Sequence, residues 1–285
     1  MKVELAEKIG FCFGVKKAVD MANELAEKGE KIYTYGPIIH NEQVVKSLMD
    51  KGVKPIDSLS DLTPEEIREG GSIIIRSHGV GADVYEEIEK LGFKIVDATC
   101  PFVRRIHKTV NEQGKSGRDI VIIGNDGHAE VEGIKGWCVG PVYVVGSKED
   151  IDALDGRISN KICLVSQTTY NSKKFKELVE IFTQKLYDII VVNTICTATE
   201  ERQNAAETLA SQSDAMLVIG GSHSSNTRKL YEICSGRCKH TYYIQTLEDL
   251  NFEFPADVKT VGITAGASTP NNIIEEVQNY VRCKF

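Results

Sequence analysis

Short apolar runs alternate with longer amphipathic stretches along most of this chain. Runs rich in Val and Ile predict strands, and the segments between them carry apolar residues at helical spacing, as in Val15–Ala26. Strand followed by helix, repeated along a chain, predicts an α/β fold with parallel strands. The strand candidates are Ser72–Ile75, Lys94–Asp97, Asp119–Ile123, Val142–Val145, Ile162–Val165, Ile189–Val192, Ala215–Ile219 and Val258–Ile263.

The alternation occurs in three copies, and each copy contains a cysteine. Cys12, Cys100 and Cys196 are 88 and 96 residues apart. A glycine stands 24 residues after each cysteine, and a His or Ser stands 28 residues after it: Gly36, Gly124 and Gly220, then His40, His128 and Ser224. A further polar turn follows in each copy, at 77–79, 166–169 and 266–269. The registered spacing predicts three similar α/β modules, with bounds 1–97, 98–193 and 194–285.

Composition and charge argue against several classes of function. The 285 residues are 41% hydrophobic and 26% charged, as in globular proteins, and the net charge of −7 argues against a nucleic-acid or anionic membrane surface. No stretch has the ~20 apolar residues of a membrane helix, and Met1–Gly10 lacks a signal core. We therefore expect a cytoplasmic protein whose eight cysteines are thiols or metal ligands rather than disulfides.

The three registered cysteines precede predicted helices. Cys100 is followed by Pro101, a favoured first helical residue, and Cys196 by the capping-box pattern Thr197–Glu200. Ligands of parallel α/β sheets bind beyond the carboxyl ends of the strands. We therefore expect a pseudo-threefold (trefoil) arrangement in which the polar turns of all three modules surround one cavity.

Three cysteines about a threefold axis suggest an iron–sulfur cluster. Helix N-termini favour thiolates, and three thiolates match three corners of a 4Fe–4S cluster. The fourth iron would stay open to a substrate oxygen, which favours an enzyme over an electron carrier. The other cysteines are expected to be ordinary thiols, and Gly236 disfavours a second metal site at Cys234 and Cys238; they are Cys138, Cys163, Cys234, Cys238 and Cys283.

The polar turns predict an anionic substrate, because neutral donors at helix N-termini suit a phosphate or diphosphate. These donors are His40, His78, His128, Thr168, Ser224, Ser225, Asn226 and Ser268. Each Ser or Thr could instead only cap its helix, and each His could be structural; His107, His223 and His240 are assigned to structural or surface roles. Glu130 is the one carboxylate in a matched turn, where it could supply a proton or only stabilise a helix N-terminus.

These residues lie in segments that together resemble 4-hydroxy-3-methylbut-2-enyl diphosphate reductase. The segments are Gly10–Val15, Gly36–Asn41, Arg76–Gly79, Asp97–Pro101, Gly127–Gly133, Ser166–Thr169, Asn193–Cys196, Ser224–Asn226 and Thr264–Ser268. They follow one another in the family's order and cover nearly the whole chain. One departure is Ala129, where the family commonly has Pro; both functional neighbours, His128 and Glu130, remain.

The resemblance implies an activity and roles. It implies a trefoil around one 4Fe–4S cluster with three cysteine ligands, Cys12, Cys100 and Cys196, and an open iron that binds the substrate hydroxyl. Two electrons come from ferredoxin or flavodoxin, water leaves, and isopentenyl and dimethylallyl diphosphate form, as the last step of the methylerythritol phosphate route. Glu130 would donate the proton, and Thr168 would orient the hydroxyl and the proton path. The implied diphosphate ligands are His40, His78, His128, Ser224, Ser225, Asn226 and Ser268.

Three other interpretations stay open. A dehydratase of the quinolinate synthase type also combines three modules with three cysteine ligands, but its substrates need carboxylate recognition, and its motifs are not seen here. An iron–sulfur sensor would need neither Glu130 nor a ring of donors the size of a diphosphate. Zinc held by three cysteines and one histidine would be colourless and give no electron-resonance signal.

Overall fold

The structure is a computed structural model that describes residues 1–185 and 187–284. Its strands are β1 (Lys2–Leu5), β2 (Ile32–Tyr35), β3 (Val53–Ile56), β4 (Ser72–Ile75), β5 (Lys94–Asp97), β6 (Asp119–Ile123), β7 (Val142–Val145), β8 (Lys161–Ser166), β9 (Asp188–Val191), β10 (Ala215–Ile219), β11 (His240–Ile244) and β12 (Thr260–Ala265). Its α-helices are α1 (Phe13–Glu27), α2 (Glu42–Asp50), α3 (Pro64–Glu69), α4 (Ala82–Lys90), α5 (Pro101–Lys115), α6 (Ala129–Lys135), α7 (Lys148–Asp152), α8 (Ser172–Gln184), α9 (Thr197–Ala210), α10 (Ser225–Ser235) and α11 (Asn271–Lys284).

The strands form three four-stranded sheets whose order repeats. The orders are β3-β2-β4-β5, β7-β6-β8-β9 and, read in the same sense, β11-β10-β12-β1. All pairings are parallel. The predicted fold class, α/β with three similar parallel modules, is therefore confirmed within the described residues.

The N-terminal strand completes the third sheet. β1 pairs in parallel with β12, from Lys2 opposite Thr260 to Leu5 opposite Ile263. It occupies the edge position that β5 and β9 hold in the other two sheets. Residues 2–5 therefore belong with the sheet of the predicted module 194–285, not with that of 1–97. This pairing joins opposite ends of the chain, and spacing within the sequence does not reveal it. With that exception, the bounds 1–97, 98–193 and 194–285 remain a prediction.

The middle strands are buried on both faces because helices cover the sheets on both sides. Every residue of β6 and of β10 is buried. The apolar side of α5 adds Ile106 and Val110 to one of these cores. Such cores hold the carboxyl ends of the strands, and the turns that follow them, in fixed positions.

The described chain divides into two compact units. One consists of Met1–Lys16, Ile39–Lys46 and Thr197–Phe285, and it contains the third sheet. The other consists of Lys17–Ile38 and Ser47–Cys196, and it contains the first two sheets. Among the described residues, none of the helices has the length and apolar character needed to cross a membrane.

Candidate functional site

The three registered cysteines occupy equivalent positions. Each follows the edge strand β1, β5 or β9 and directly precedes a helix of 14 or 15 residues, α1, α5 or α9. Each is partly exposed. In every case the main-chain N–H donates to the carbonyl two residues beyond the end of a neighbouring strand: Cys12 to Ala267 at 3.2 Å, Cys100 to Ser77 at 3.0 Å and Cys196 to Thr168 at 3.0 Å. The repeated hydrogen bond ties each cysteine to a polar turn identified in the sequence.

The registered glycines are structural. Their N–H groups donate to the last residue of an adjacent strand: Gly36 to Ile56 at 2.6 Å, Gly124 to Val145 at 3.0 Å and Gly220 to Ile244 at 2.9 Å. Gly36 has φ +69°, and a Cβ atom there would lie 2.1 Å from the Arg76 side chain. A glycine is needed at this turn both for its conformation and for space.

Glu130 is a buried carboxyl held by a single threonine. It stands in the first turn of α6 and is 2% exposed. The Thr168 main-chain N–H donates to Glu130 Oε1 at 2.5 Å, and the Thr168 hydroxyl donates to Oε2 at 2.6 Å. Burial raises the pKa of Glu130 to about 7, against the lowering effect of both hydrogen bonds. A carboxyl with this pKa is about half protonated at neutral pH, which suits a general acid.

Thr168 also contacts the cysteine of the next module. Its carbonyl oxygen accepts the N–H of Cys196, while its own N–H and hydroxyl donate to Glu130. One residue thus links a predicted metal ligand to the predicted proton donor. The resemblance assigned Thr168 to the substrate hydroxyl, and it gave no sign of this main-chain connection to Cys196.

Two predicted diphosphate ligands lie together in the same unit. The rings of His78 and His128 meet edge to face, with centroids 5.7 Å apart and planes at 72°. His128 Nδ1 accepts the Glu130 N–H at 3.1 Å, so this side chain caps α6. In the neutral ring the proton is then on Nε2. His128 can therefore donate through Nε2 while it fixes the helix that carries Glu130.

The remaining predicted ligands lie in the other unit, on the turns around α2 and α10. Asn41 caps α2 by accepting the Val44 N–H at 3.0 Å. The carbonyl of the preceding His40 packs against Gly221, where a Cβ atom would lie 2.5 Å from it. Gly221 is three residues before Ser224. The main chain of His40 thus lies next to the turn that leads to Ser224.

Ser224 and Asn226 differ in their partners. Ser224 is the N-cap of α10, and its Oγ accepts from the Thr227 N–H at 3.2 Å and the Thr227 hydroxyl at 2.9 Å. Helix capping is therefore one role of Ser224, and its hydroxyl hydrogen is left for a ligand. Asn226 is 5% exposed, yet neither Oδ1 nor Nδ2 has a hydrogen-bond partner in the described part of the chain. Buried amide groups of folded proteins usually have hydrogen-bond partners, so Asn226 is an exception. Ser225, the first residue of α10, and Ser268, in the segment between β12 and α11, are half-buried.

The donor set fits an iron–sulfur cluster. Burial raises the pKa of Cys138, Cys163 and Cys234 to about 12, 11 and 12, and it also raises that of Cys238, so these remain thiols. The three registered cysteines are also partly exposed, as Cys138 is, but they alone of these seven cysteines directly precede helices. Within residues 1–185 and 187–284, no three His, Cys, Asp or Glu side chains are grouped to hold a metal ion. In a 4Fe–4S cluster each cysteine binds a different iron, so the ligands need not converge on one ion.

Two buried polar side chains near the cysteines are outside the matched turns. His107 is 4% exposed and stacks on Trp137 with ring centroids 5.2 Å apart, and burial lowers its pKa to about 4. These contacts fit the structural role expected for His107. Arg202 is 6% exposed on α9 and was not singled out in the sequence, because one arginine in a charged helical segment carries no distinguishing pattern.

Comparisons with known proteins match almost the full chain. The sequence profile of the LytB protein family matches residues 3–282. The 4-hydroxy-3-methylbut-2-enyl diphosphate reductase of Caldanaerobacter subterraneus subsp. tengcongensis is 46% identical over 97% of this chain and 95% of its own length.

Two solved structures are also similar over the full chain. The E-1-hydroxy-2-methyl-but-2-enyl-4-diphosphate reductase of Plasmodium falciparum is 29% identical, with a TM-score of 0.91 over 99% of this chain and 87% of that chain. The second, (E)-4-hydroxy-3-methyl-but-2-enyl diphosphate reductase, described as the terminal enzyme of the non-mevalonate pathway, is 42% identical, with a TM-score of 0.68 over 99% of both chains.

Proposed function

The chain belongs to the LytB family, and on that premise we propose that it is a 4-hydroxy-3-methylbut-2-enyl diphosphate reductase. It removes the hydroxyl group of (E)-4-hydroxy-3-methylbut-2-enyl diphosphate and yields isopentenyl and dimethylallyl diphosphate, the last step of the methylerythritol phosphate route. The overall change consumes two electrons and two protons and releases one water. The observation that carries the proposal is the buried Glu130 carboxyl held by Thr168.

The family is one of iron–sulfur enzymes. We infer that Cys12, Cys100 and Cys196 bind a single 4Fe–4S cluster, each through its thiolate. When bound, the cluster supplies the electrons one at a time and, at its open iron, a Lewis acid for the substrate hydroxyl. Ferredoxin or flavodoxin is the proposed donor. Support comes from the equivalent positions of the three cysteines and from the raised pKa of Cys138, Cys163, Cys234 and Cys238.

In this proposal Glu130 donates a proton to the substrate, and Thr168 orients the substrate oxygen that receives it. The protonated Glu130 carboxyl donates to the leaving hydroxyl, which departs as water. The Thr168 hydroxyl is held at 2.6 Å from Glu130, and it orients the substrate oxygen toward that proton. A second proton, delivered to either end of the allylic system, completes the product. Because the carboxyl is 2% exposed, bulk water has little access to it.

The diphosphate is bound by neutral donors. The proposed donors are the ring N–H groups of His78 and His128, the Ser224 hydroxyl and the Asn226 amide. His40, Ser225 and Ser268 are the other proposed ligands. The positive end of the α10 helix dipole adds to the attraction for an anion. This assignment accounts for the buried amide of Asn226.

The test is an anaerobic assay of the purified protein with the allylic diphosphate and a chemical one-electron reductant. We expect both isoprenoid diphosphates to form and an electron-resonance signal to appear on reduction. Cys12→Ser, Cys100→Ser and Cys196→Ser should each abolish turnover, whereas the matched controls Cys138→Ser and Cys163→Ser should not. Normal turnover by Cys100→Ser would refute the ligand assignment. A cluster signal without product would favour the sensor, and non-redox dehydration would favour the quinolinate synthase type.

A further inference from the structure

The Arg202 guanidinium contacts the loop that leads into Cys12 and the helix that follows Cys196. Both cysteines are proposed cluster ligands. Arg202 stands on α9, six residues after Cys196, and it is 6% exposed. Its Nη1 donates to the Ala198 carbonyl at 3.1 Å, so the side chain runs back along α9 toward the N-terminus of that helix. Its Nη2 donates to the Gly10 carbonyl at 2.5 Å. Ala198 is two residues after Cys196, and Gly10 is two residues before Cys12.

The Gly10–Cys12 loop is fixed at both ends. Gly10 is buried with φ +79°, and a Cβ atom there would lie 2.6 Å from Asn271 Oδ1. This conformation presents the Gly10 carbonyl to Arg202, while the Cys12 N–H donates to the Ala267 carbonyl at 3.2 Å. The path of the chain into Cys12 therefore depends on one side-chain contact and one main-chain contact, both within the same compact unit.

A buried arginine at this place needs an explanation beyond packing. Transfer of a guanidinium out of water is costly, and an uncharged side chain of similar size would be cheaper to bury. Arginine is the basic residue best able to make two directed hydrogen bonds while keeping its charge. Three thiolates around a 4Fe–4S core form an anionic group, which gains a further negative charge on reduction. A fixed cation bonded to main-chain carbonyls that lie two residues from each of two thiolates would stabilise that charge.

We propose that Arg202 is a positioning residue for the iron–sulfur cluster. It ties the Cys12 loop to the first turn of the helix that follows Cys196, and its charge favours the reduced cluster. The inference rests on the proposed function, because it takes both cysteines as ligands. Arg202 contacts neither the substrate nor the proton donor in this scheme, so its loss affects the cluster first and turnover as a consequence.

The experiment compares full-length Arg202→Met and Arg202→Lys with the wild type after anaerobic cluster assembly. The control is Arg237→Met. Arg237 is an exposed arginine that pairs with Glu207, and Glu207 lies on α9, the helix that carries Arg202. Four quantities are measured: iron and sulfide per chain, the rate of iron loss to a chelator, the reduction potential of the cluster, and the thermal midpoint of the cluster-free protein. The last separates loss of the fold from loss of the cluster.

Arg202→Met should lose iron about 10-fold to 100-fold faster than the wild type, the usual effect of removing support behind a metal ligand. Its reduction potential should become more negative, and the control should match the wild type in both. Arg202→Lys keeps the positive charge, but the lysine ammonium does not reproduce the two hydrogen bonds of the guanidinium to Ala198 and Gly10. It should therefore lose iron faster while its potential stays near the wild-type value.

Wild-type iron loss and potential in Arg202→Met would overturn the proposal. If Arg202→Met does not fold, the test rests on Arg202→Lys. An unchanged rate of iron loss in Arg202→Lys would show that the hydrogen bonds of Arg202 to Gly10 and Ala198 do not hold the cluster ligands in place. A failure of the proposed function would give different results from a failure of the Arg202 proposal. In that case the wild-type protein would show no 4Fe–4S signal, or the Cys12→Ser variant would keep its cluster.

Discussion

Cys196 and Thr168 are joined by a main-chain hydrogen bond of 3.0 Å, donated by the cysteine N–H to the threonine carbonyl. Thr168 also donates to both carboxylate oxygens of Glu130. Thr168 thus connects Cys196, a proposed cluster ligand, with Glu130, the proposed proton donor. Substitutions along this connection should separate the proton step from cluster binding.

Glu130→Gln should preserve the fold and the cluster but abolish proton delivery. Glutamine has nearly the same shape, and its amide oxygen can accept the Thr168 N–H while its NH₂ group donates to the Thr168 hydroxyl oxygen, yet it has no acidic proton. We expect turnover to fall by about 10²-fold to 10⁴-fold, the usual contribution of a positioned acid. The cluster spectrum and substrate affinity should be nearly unchanged, as measured by anaerobic absorption and by ligand titration.

Glu132→Gln is the matched control for this prediction. Glu132 lies on the same helix, but its side chain accepts from the Gly127 N–H and pairs with Lys135 at the surface. It should keep wild-type turnover. An undiminished rate in Glu130→Gln would remove the acid role from that carboxyl.

Thr168→Val should shift the pH dependence of turnover. Activity requires the protonated Glu130 carboxyl, so the wild-type rate should fall as pH rises through a pKa of about 7. The Thr168 hydroxyl stabilises the carboxylate and lowers that pKa. Removing it raises the pKa, and the alkaline limb should therefore move to higher pH while the maximal rate drops. The measurement is kcat from pH 5.5 to 9 under substrate saturation.

The neighbouring Thr169→Val tests the specificity of that shift. The Thr169 hydroxyl accepts from the Gln167 side chain at 3.1 Å, whereas the hydrogen bonds described above for the Glu130 carboxylate come from Thr168. Its pH profile should have the wild-type limb. A limb that moves equally in both variants would contradict the direct action of Thr168 on Glu130.

The strands that periodicity predicted are those with apolar sequences. β4, β5, β6, β7 and β10 match the predicted bounds, and β8, β9 and β12 overlap them within two residues. β1, β2, β3 and β11 were not predicted. β1 is an edge strand that carries Lys2 and Glu4, and β3 contains Pro55, which an edge strand tolerates because one side of its backbone has no ladder to complete. Tyr and Thr dilute the apolar signal in β2 and β11.

The candidate site was predictable only where it repeats. Equal spacing placed the cysteines and glycines at equivalent points, and the structure ties each of them to an adjacent strand or turn. The resemblance implied roles in proton transfer for Glu130 and Thr168, but the hydrogen bonds between these two residues, 38 positions apart, were not predicted. The contact of Arg202 with Gly10 spans 192 residues and occurs in one module, so neither spacing nor local pattern could predict it.

Two glycines with similar backbone angles should respond differently to alanine. Gly36 and Gly29 have φ of +69° and +70°, but an added Cβ atom meets the Arg76 guanidinium only at Gly36; at Gly29 it meets nothing within 4 Å. Gly29→Ala should destabilise the cluster-free protein by about 1 to 2 kcal/mol through backbone strain alone. Gly36→Ala should cost about 1 to 3 kcal/mol more through overpacking. Urea unfolding measures both, and equal losses would argue that Arg76 moves aside freely.

Asn226→Ala should weaken substrate binding without weakening the cluster-free fold. In the described structure neither amide atom of Asn226 has a hydrogen-bond partner, so the substitution breaks no intramolecular bond. KM should rise by about tenfold, equivalent to roughly 1.4 kcal/mol of lost diphosphate contact, while the free energy of unfolding stays level or increases. Steady-state kinetics and urea unfolding measure the two effects.

Ser224→Ala provides the contrast, because Ser224 combines helix capping with its proposed substrate contact. Its Oγ accepts two hydrogen bonds from Thr227. Loss of the cap should lower the free energy of unfolding by about 1 kcal/mol, and KM should also rise. If Asn226→Ala instead destabilises the cluster-free protein and leaves KM unchanged, the amide serves the fold, and the diphosphate must bind through other donors.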